Sequence, residues 1–199
     1  MWAAGLRGFM AEIAGFGSNV EWVGTFVWVL LPGVLTGMLL GWAEHLRCTG
    51  GRRGWRWLAA APVLFAGVLV PGLFTAGGMA AMLADGIGFG AIGVPLFGMV
   101  SGYAISGRGP MWGRIVSGVI ALTPIPNWVL TVTGFGGPEL AVTTARGAWV
   151  AVYYWSFLAV QALGCAIPHR PVVTPLNRDQ SSRTTARSGS DRIRTAPVA

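Results

Sequence analysis

The sequence predicts an all-α integral membrane protein: a five-helix transmembrane bundle with proline-kinked helices, its N-terminus outside and its C-terminus in the cytoplasm. Long charge-free runs, a one-sided distribution of arginines and tryptophans placed at run ends all point to it. The chain is 53% hydrophobic and only 11% charged, against roughly 25% charged residues in a soluble domain. Its length of 199 residues is that of a single domain.

Five stretches contain no charged residue: Trp22 to Ala43, Trp57 to Ala84, Gly86 to Gly107, Ile115 to Pro138 and Gly147 to Pro168. Each is at least 22 residues long. About 20 mostly apolar residues in a helix cross a ~30 Å hydrocarbon core. So many such runs leave too little polar sequence to cover a soluble core. A membrane barrel would show short segments of alternating polarity. Runs such as Val27-Trp28-Val29-Leu30-Leu31 do not alternate. The predicted spans are 22–43, 57–74, 87–105, 113–133 and 147–167 within a membrane domain of residues 19–169.

Before the first span, residues 1–18 lack the apolar core and cleavage site of a secretory signal. On a helix, Trp2, Leu6, Phe9, Met10 and Ile13 share one face, with Arg7 and Glu12 elsewhere. This predicts a short amphipathic helix lying on the outer surface of the membrane. Residues 170–199 are rich in Ser, Thr, Arg and Pro and poor in large apolar side chains. They cannot offset the cost of ordering, which predicts a disordered basic cytoplasmic tail. Six arginines against Asp179 and Asp191 give it a net +4, suited to contact with anionic lipid headgroups.

Orientation follows from the arginines. With five spans, Arg47, Arg52, Arg53, Arg56, Arg108, Arg114 and the tail's six lie on one side, and Arg7 and Arg146 on the other. The positive-inside tendency makes the richer side cytoplasmic. Trp22, Trp42, Trp55, Trp57, Trp112 and Trp149 sit near span ends, at headgroup level, whereas Trp28, Trp128 and Trp155 lie deeper and are expected to pack. The +7 net charge is therefore a matter of membrane orientation, and no nucleic-acid partner is expected.

Small residues at four-residue spacing predict close helix packing. They are Gly33, Gly37 and Gly41 in the first span, and Gly86, Gly90, Gly98 and Gly102 in the third. Gly72, Ala76, Ala80 and Ala84 extend the pattern beyond the second span, into a short outer helix or a re-entrant turn. The partner of such a face is a neighbouring helix of this chain, a second copy or another membrane protein. Pro32, Pro95 and Pro124 fall at roughly 15–18 Å depth. Each removes a backbone donor and frees a carbonyl, so three helices are expected to bend at one level.

The fourth span is the most polar. Thr123, Asn127 and Thr131 line one of its faces, and Ser156 with Tyr153 or Tyr154 of the fifth span lie at similar depth. This is the candidate polar intramembrane site; ordinary interhelical hydrogen bonding is the plainer reading. Glu44 is expected to pair with Arg47, and Asp85 to cap the third span. His45, Cys48, Cys165 and His169 gather on the cytoplasmic side and have the residue types of a zinc site, although no metal and no cofactor is expected. No phosphate loop, metalloprotease helix or nucleophile elbow occurs, which argues against an enzyme. The expected role is a structural or accessory subunit of a membrane assembly. A small-solute or ion permeation protein is the second reading, and a lipid-modifying enzyme the third. The expected location is the plasma membrane of a bacterial cell.

Overall fold

The structure, a computed structural model, describes residues 1–15, 20–84 and 87–173. The expected Asp85 cap, Gly86 and tail residues 174–199 lie outside the described residues. Those described form helices and connecting turns, with no strand among them. In chain order the helices are α1 (Trp2–Ala14), α2 (Trp22–Cys48), α3 (Trp55–Leu73), α4 (Gly78–Ala84), α5 (Gly90–Ile105), α6 (Met111–Gly134) and α7 (Ala145–His169). Four of them, α2, α3, α6 and α7, are long and apolar enough to cross a membrane, and α5 is a shorter apolar helix.

The prolines shape these helices locally. Pro32 cannot donate a hydrogen bond, and the nine residues Trp22–Leu30 before it are wound as a π-helix, the Leu31 N–H reaching back to the Phe26 carbonyl. A π turn, Phe89–Gly93, likewise precedes Pro95. In α6 the Thr123 N–H reaches Ile120, three residues back, just before Pro124. Helix α3 carries Pro62 inside a 15-residue 3-10 stretch, Trp55–Leu69. At ~2.0 Å rise per residue that stretch alone spans about 30 Å. The outer segment after α3 resolves into the short helix α4, whose Gly78 and Met79 backbone presses on Gly72.

Helix α1 packs into the bundle. It does not lie on the surface of the bundle: Trp2, Ala3 and Leu6 are buried in a core with Phe65, Val94, Phe157 and Leu158. Trp2 packs on Phe65 at 4.8 Å, and Phe9 touches the rings of Trp128, Tyr154 and Phe157 at 4.9–5.6 Å. The reason is a second, small face that the apolar stripe conceals. Ala3 fits on Gly33, Gly5 on Phe157 and Gly8 on the Tyr153 hydroxyl. Glu12 meets Arg146 of α7 through its carbonyl. Helix α1 therefore runs antiparallel to α7, from its middle to its first turn.

The glycine faces divide. Gly98 lies against Gln161, and Gly102 against the backbone of Cys165 and Ala166; a Cβ at either would come within 2.6 Å of them. Gly33 packs on Ala3, but Gly37 and Gly41 meet nothing within 4 Å and face outward. The four-residue repeat explains the division. At 100° per residue it advances about 40° beyond each full turn, so three such positions drift off any one face. The buried face of α2 is instead Gly33, Thr36, Leu40 and Ala43, with spacings of three and four.

The two ends of the bundle differ in charge. One end holds Arg47, Arg52, Arg53, Arg56, Arg108, Arg114 and Arg170 with Glu44; the opposite half holds Arg7 and Arg146 with Glu12, Glu21 and Glu139. At the first end Arg47 forms a two-point ion pair with Glu44, at 2.6 and 2.8 Å. Arg47 also ties down the chain after α7, donating to the Pro171 carbonyl and accepting from the Val173 N–H. At the other end Arg146 pairs with Glu139 at 3.4 Å.

Candidate functional site

Helices α5, α6 and α7 enclose a groove on the side of the bundle. Its upper part is a cavity of about 280 Å³ walled by Thr123, Asn127, Tyr154, Gly93 and Phe97, among others. Its lower part, about 190 Å³, is walled by Ser101, Trp155, Ile105 and Ala159. Phe97, Pro124 and Leu158 line both parts, so the two adjoin. The groove exists because α6 changes its hydrogen bonding at Thr123 and Pro124 while α7 continues beside it.

The expected polar stripe is only partly assembled here. Thr123 and Asn127 line the groove, with Tyr154 of α7. Thr131 and Ser156 do not line it, and Tyr153 lies on the other side of α7, its hydroxyl against Gly8. The hydroxyls are satisfied within their own helices. Thr123 donates to Ile120, Thr131 to Asn127 and Ser156 to Tyr153, at 2.7–2.8 Å. Such back-bonding consumes the donor and leaves the threonines little to offer a ligand. Asn127 differs: it is exposed, and its side-chain amide has no partner among the described residues. It stands about 20 Å along α6 from Arg114.

Two polar side chains absent from the expected site line it, and a third, Gln161, lies outside its lining. Ser101 Oγ and Trp155 Nε1 are buried in its lower part, without hydrogen-bond partners among the described residues. Gln161 is 2% exposed, and both its amide atoms are likewise unpartnered. Its carboxamide is pressed against Gly98 at the junction of α5 and α7. A buried amide without partners costs roughly 1–3 kcal/mol. A glutamine inside a span was a legible signal, since an intramembrane amide needs a partner as a threonine does.

The histidines and cysteines are not brought together. Cys165 is buried against Gly102, whereas Cys48 is exposed and donates to Glu44. His45 lies beside Trp42, and His169 meets Tyr103 edge-on at 5.7 Å. Among the described residues no three His, Cys, Asp or Glu side chains are grouped to hold a metal ion. Among the described residues, the walls of the groove carry amide, hydroxyl, phenol and indole groups and no carboxylate, imidazole or thiol. That chemistry suits hydrogen bonding to a polar group and offers no acid–base pair. No family model, curated protein or solved structure matches this chain.

Proposed function

We propose that the protein is a five-span subunit of a cell-membrane assembly, N-terminus outside and C-terminus in the cytoplasm. Its groove between α6 and α7 seats a transmembrane helix of a partner. The fifth span is α5, whose helix runs from 87 to 105. Those residues reach about 28 Å at 1.5 Å each, close to the thickness of the hydrocarbon. The charge difference between the two ends supports the orientation, the arginine-rich end being cytoplasmic. There the arginines, continued by the tail, meet anionic headgroups at about 1 kcal/mol each.

A single observation carries the docking role: the exposed amide of Asn127, which has no partner among the described residues although it sits in an apolar helix. An amide in hydrocarbon without a hydrogen bond costs roughly 4–8 kcal/mol. A partner helix with a polar side chain at that level removes the cost and fills the groove. The test is photocrosslinking from a benzophenone at Ile125, on the groove wall, in native membranes. A stoichiometric membrane-protein adduct is expected. Adducts with lipid alone would refute docking.

A second reading, a site for a small polar solute, is favoured by the Ser101 and Trp155 atoms on the groove wall, which have no hydrogen-bond partner among the described residues. Solute flux through liposomes of the pure protein, blocked by Ser101→Leu, supports it over docking.

A further inference from the structure

A second cavity lies in the opposite half of the bundle, away from the groove, and the docking role makes no use of it. It measures about 520 Å³ and is bounded by α1, α2, α3, α4 and the start of α5. This is within the roughly 300–1,000 Å³ of small-molecule sites. Among the described residues, Arg7 and Glu21 are the charged ones on its wall. The rest of its wall is largely apolar and includes Val23, Trp28, Val68 and Met82.

The arrangement is graded with depth. Glu21 immediately precedes α2, at the end of the span. Trp28 and Val29 lie seven and eight residues further along the π-helical start of α2, on the same cavity wall. Arg7 is held on the wall by α1, its Nε directed at Thr25 Oγ1 at 3.5 Å. One end of the cavity thus offers a guanidinium and a carboxylate, and the other offers hydrocarbon. Guanidinium matches phosphate through paired N–H donors. A carboxylate on the same cavity wall matches an ammonium group.

We propose that this cavity binds a zwitterionic aminophospholipid of the outer leaflet. Arg7 takes the phosphate, Glu21 the primary amine, and an acyl chain descends along Trp28 and Val68. Insertion of α1 into the bundle builds the site, because α1 supplies Arg7 and Met10 to the wall. A free phosphoethanolamine ester has the same head chemistry but would leave the apolar end of the cavity unfilled.

The test is binding to the purified full-length chain in a nonionic detergent, read by native mass spectrometry and by thermal shift. The probes are a short-chain phosphatidylethanolamine, the matching phosphatidylcholine and soluble glycerophosphoethanolamine. Phosphatidylethanolamine is expected to bind more tightly than either. Arg7→Gln should weaken it at least about tenfold, the scale of a charge-assisted hydrogen bond, and Arg7→Lys should restore part of the loss. Glu21→Gln should remove the preference over phosphatidylcholine. Val23→Trp, at an exposed wall position, should block the cavity without touching the core or the charged pair. Equal binding of the soluble ester overturns the lipid assignment. Binding unchanged in both Arg7→Gln and Val23→Trp overturns the site.

Discussion

Gly98 lies directly beneath the side chain of Gln161, so close that a Cβ at Gly98 would stand 2.6 Å from its carboxamide carbon. The contact joins α5 to α7. It exists because glycine lets the helices approach until a long polar side chain is pressed against backbone. Close approach of this kind replaces the hydrophobic effect as the force between helices in lipid.

Gly98→Leu should therefore separate α5 from α7. Overpacking costs about 1–3 kcal/mol even where a core can adjust, and here the obstacle is a fully buried side chain. Gly37→Leu should leave the isolated chain nearly as stable as the wild type, since nothing stands within 4 Å of it. Melting temperatures of the two purified variants in one detergent check this. Equal losses would mean that Gly37 faces a neighbour in a second copy.

Helix α1 offers a second contrast. Phe9 is in contact with the rings of Trp128, Tyr154 and Phe157, whereas Trp22 is exposed and stacks on its neighbour Phe26. Phe9→Ala should cost about 3 kcal/mol, the low end for removing a packed phenylalanine. Trp22→Ala should cost less than about 0.5 kcal/mol, as surface changes usually do. Unfolding in mixed micelles measures both. A Phe9 variant as stable as the Trp22 variant would return α1 to the membrane surface.

What the sequence discloses and what it hides follow from the same physics. Long charge-free runs fix where helices form because a membrane span needs length and apolarity, both linear properties. Which face of a helix is buried is set by its neighbours and is less legible. Gly37 and Gly41 share a spacing with Gly33 but not its surroundings. The apolar face of α1 was plain, yet Ala3, Gly5 and Gly8, which let it enter the bundle, read as unremarkable small residues. At the groove, Asn127 and Thr123 were visible as a polar stripe. Tyr154 and Tyr153 are adjacent, and only the path of α7 decides that the first faces the groove and the second faces α1.

Topology can be read independently of packing. With Cys48 and Cys165 replaced, single cysteines at Thr75 and Gly136 should react with an impermeant maleimide added outside intact cells. Cysteines at Gly51, Gly107 and Ser188 should react only after the membrane is opened. The pattern places α5 across the membrane, because Thr75 and Gly107 lie on either side of it in the chain. Outside labelling of Gly107 would remove α5 from the spans, and outside labelling of Gly51 would invert the bundle.

Asn127→Leu bears most directly on function. Leucine is close to asparagine in size and needs no hydrogen bond, and position 127 is exposed on the groove side of α6. In the isolated chain the amide has no partner to lose, so the variant should melt at or above the wild-type temperature. In native membranes the partner helix loses the hydrogen bond that sets its register. Such bonds are worth about 0.6 kcal/mol on average and up to about 1.7 kcal/mol, or roughly threefold to twentyfold in association. Recovery of the crosslinked adduct from Ile125 should fall accordingly, while the amount of protein in the membrane stays constant. A lower melting temperature for the isolated variant would show that the amide bonds within the chain or to bound water. Unchanged crosslinking together with lost solute flux would move the groove from docking to permeation.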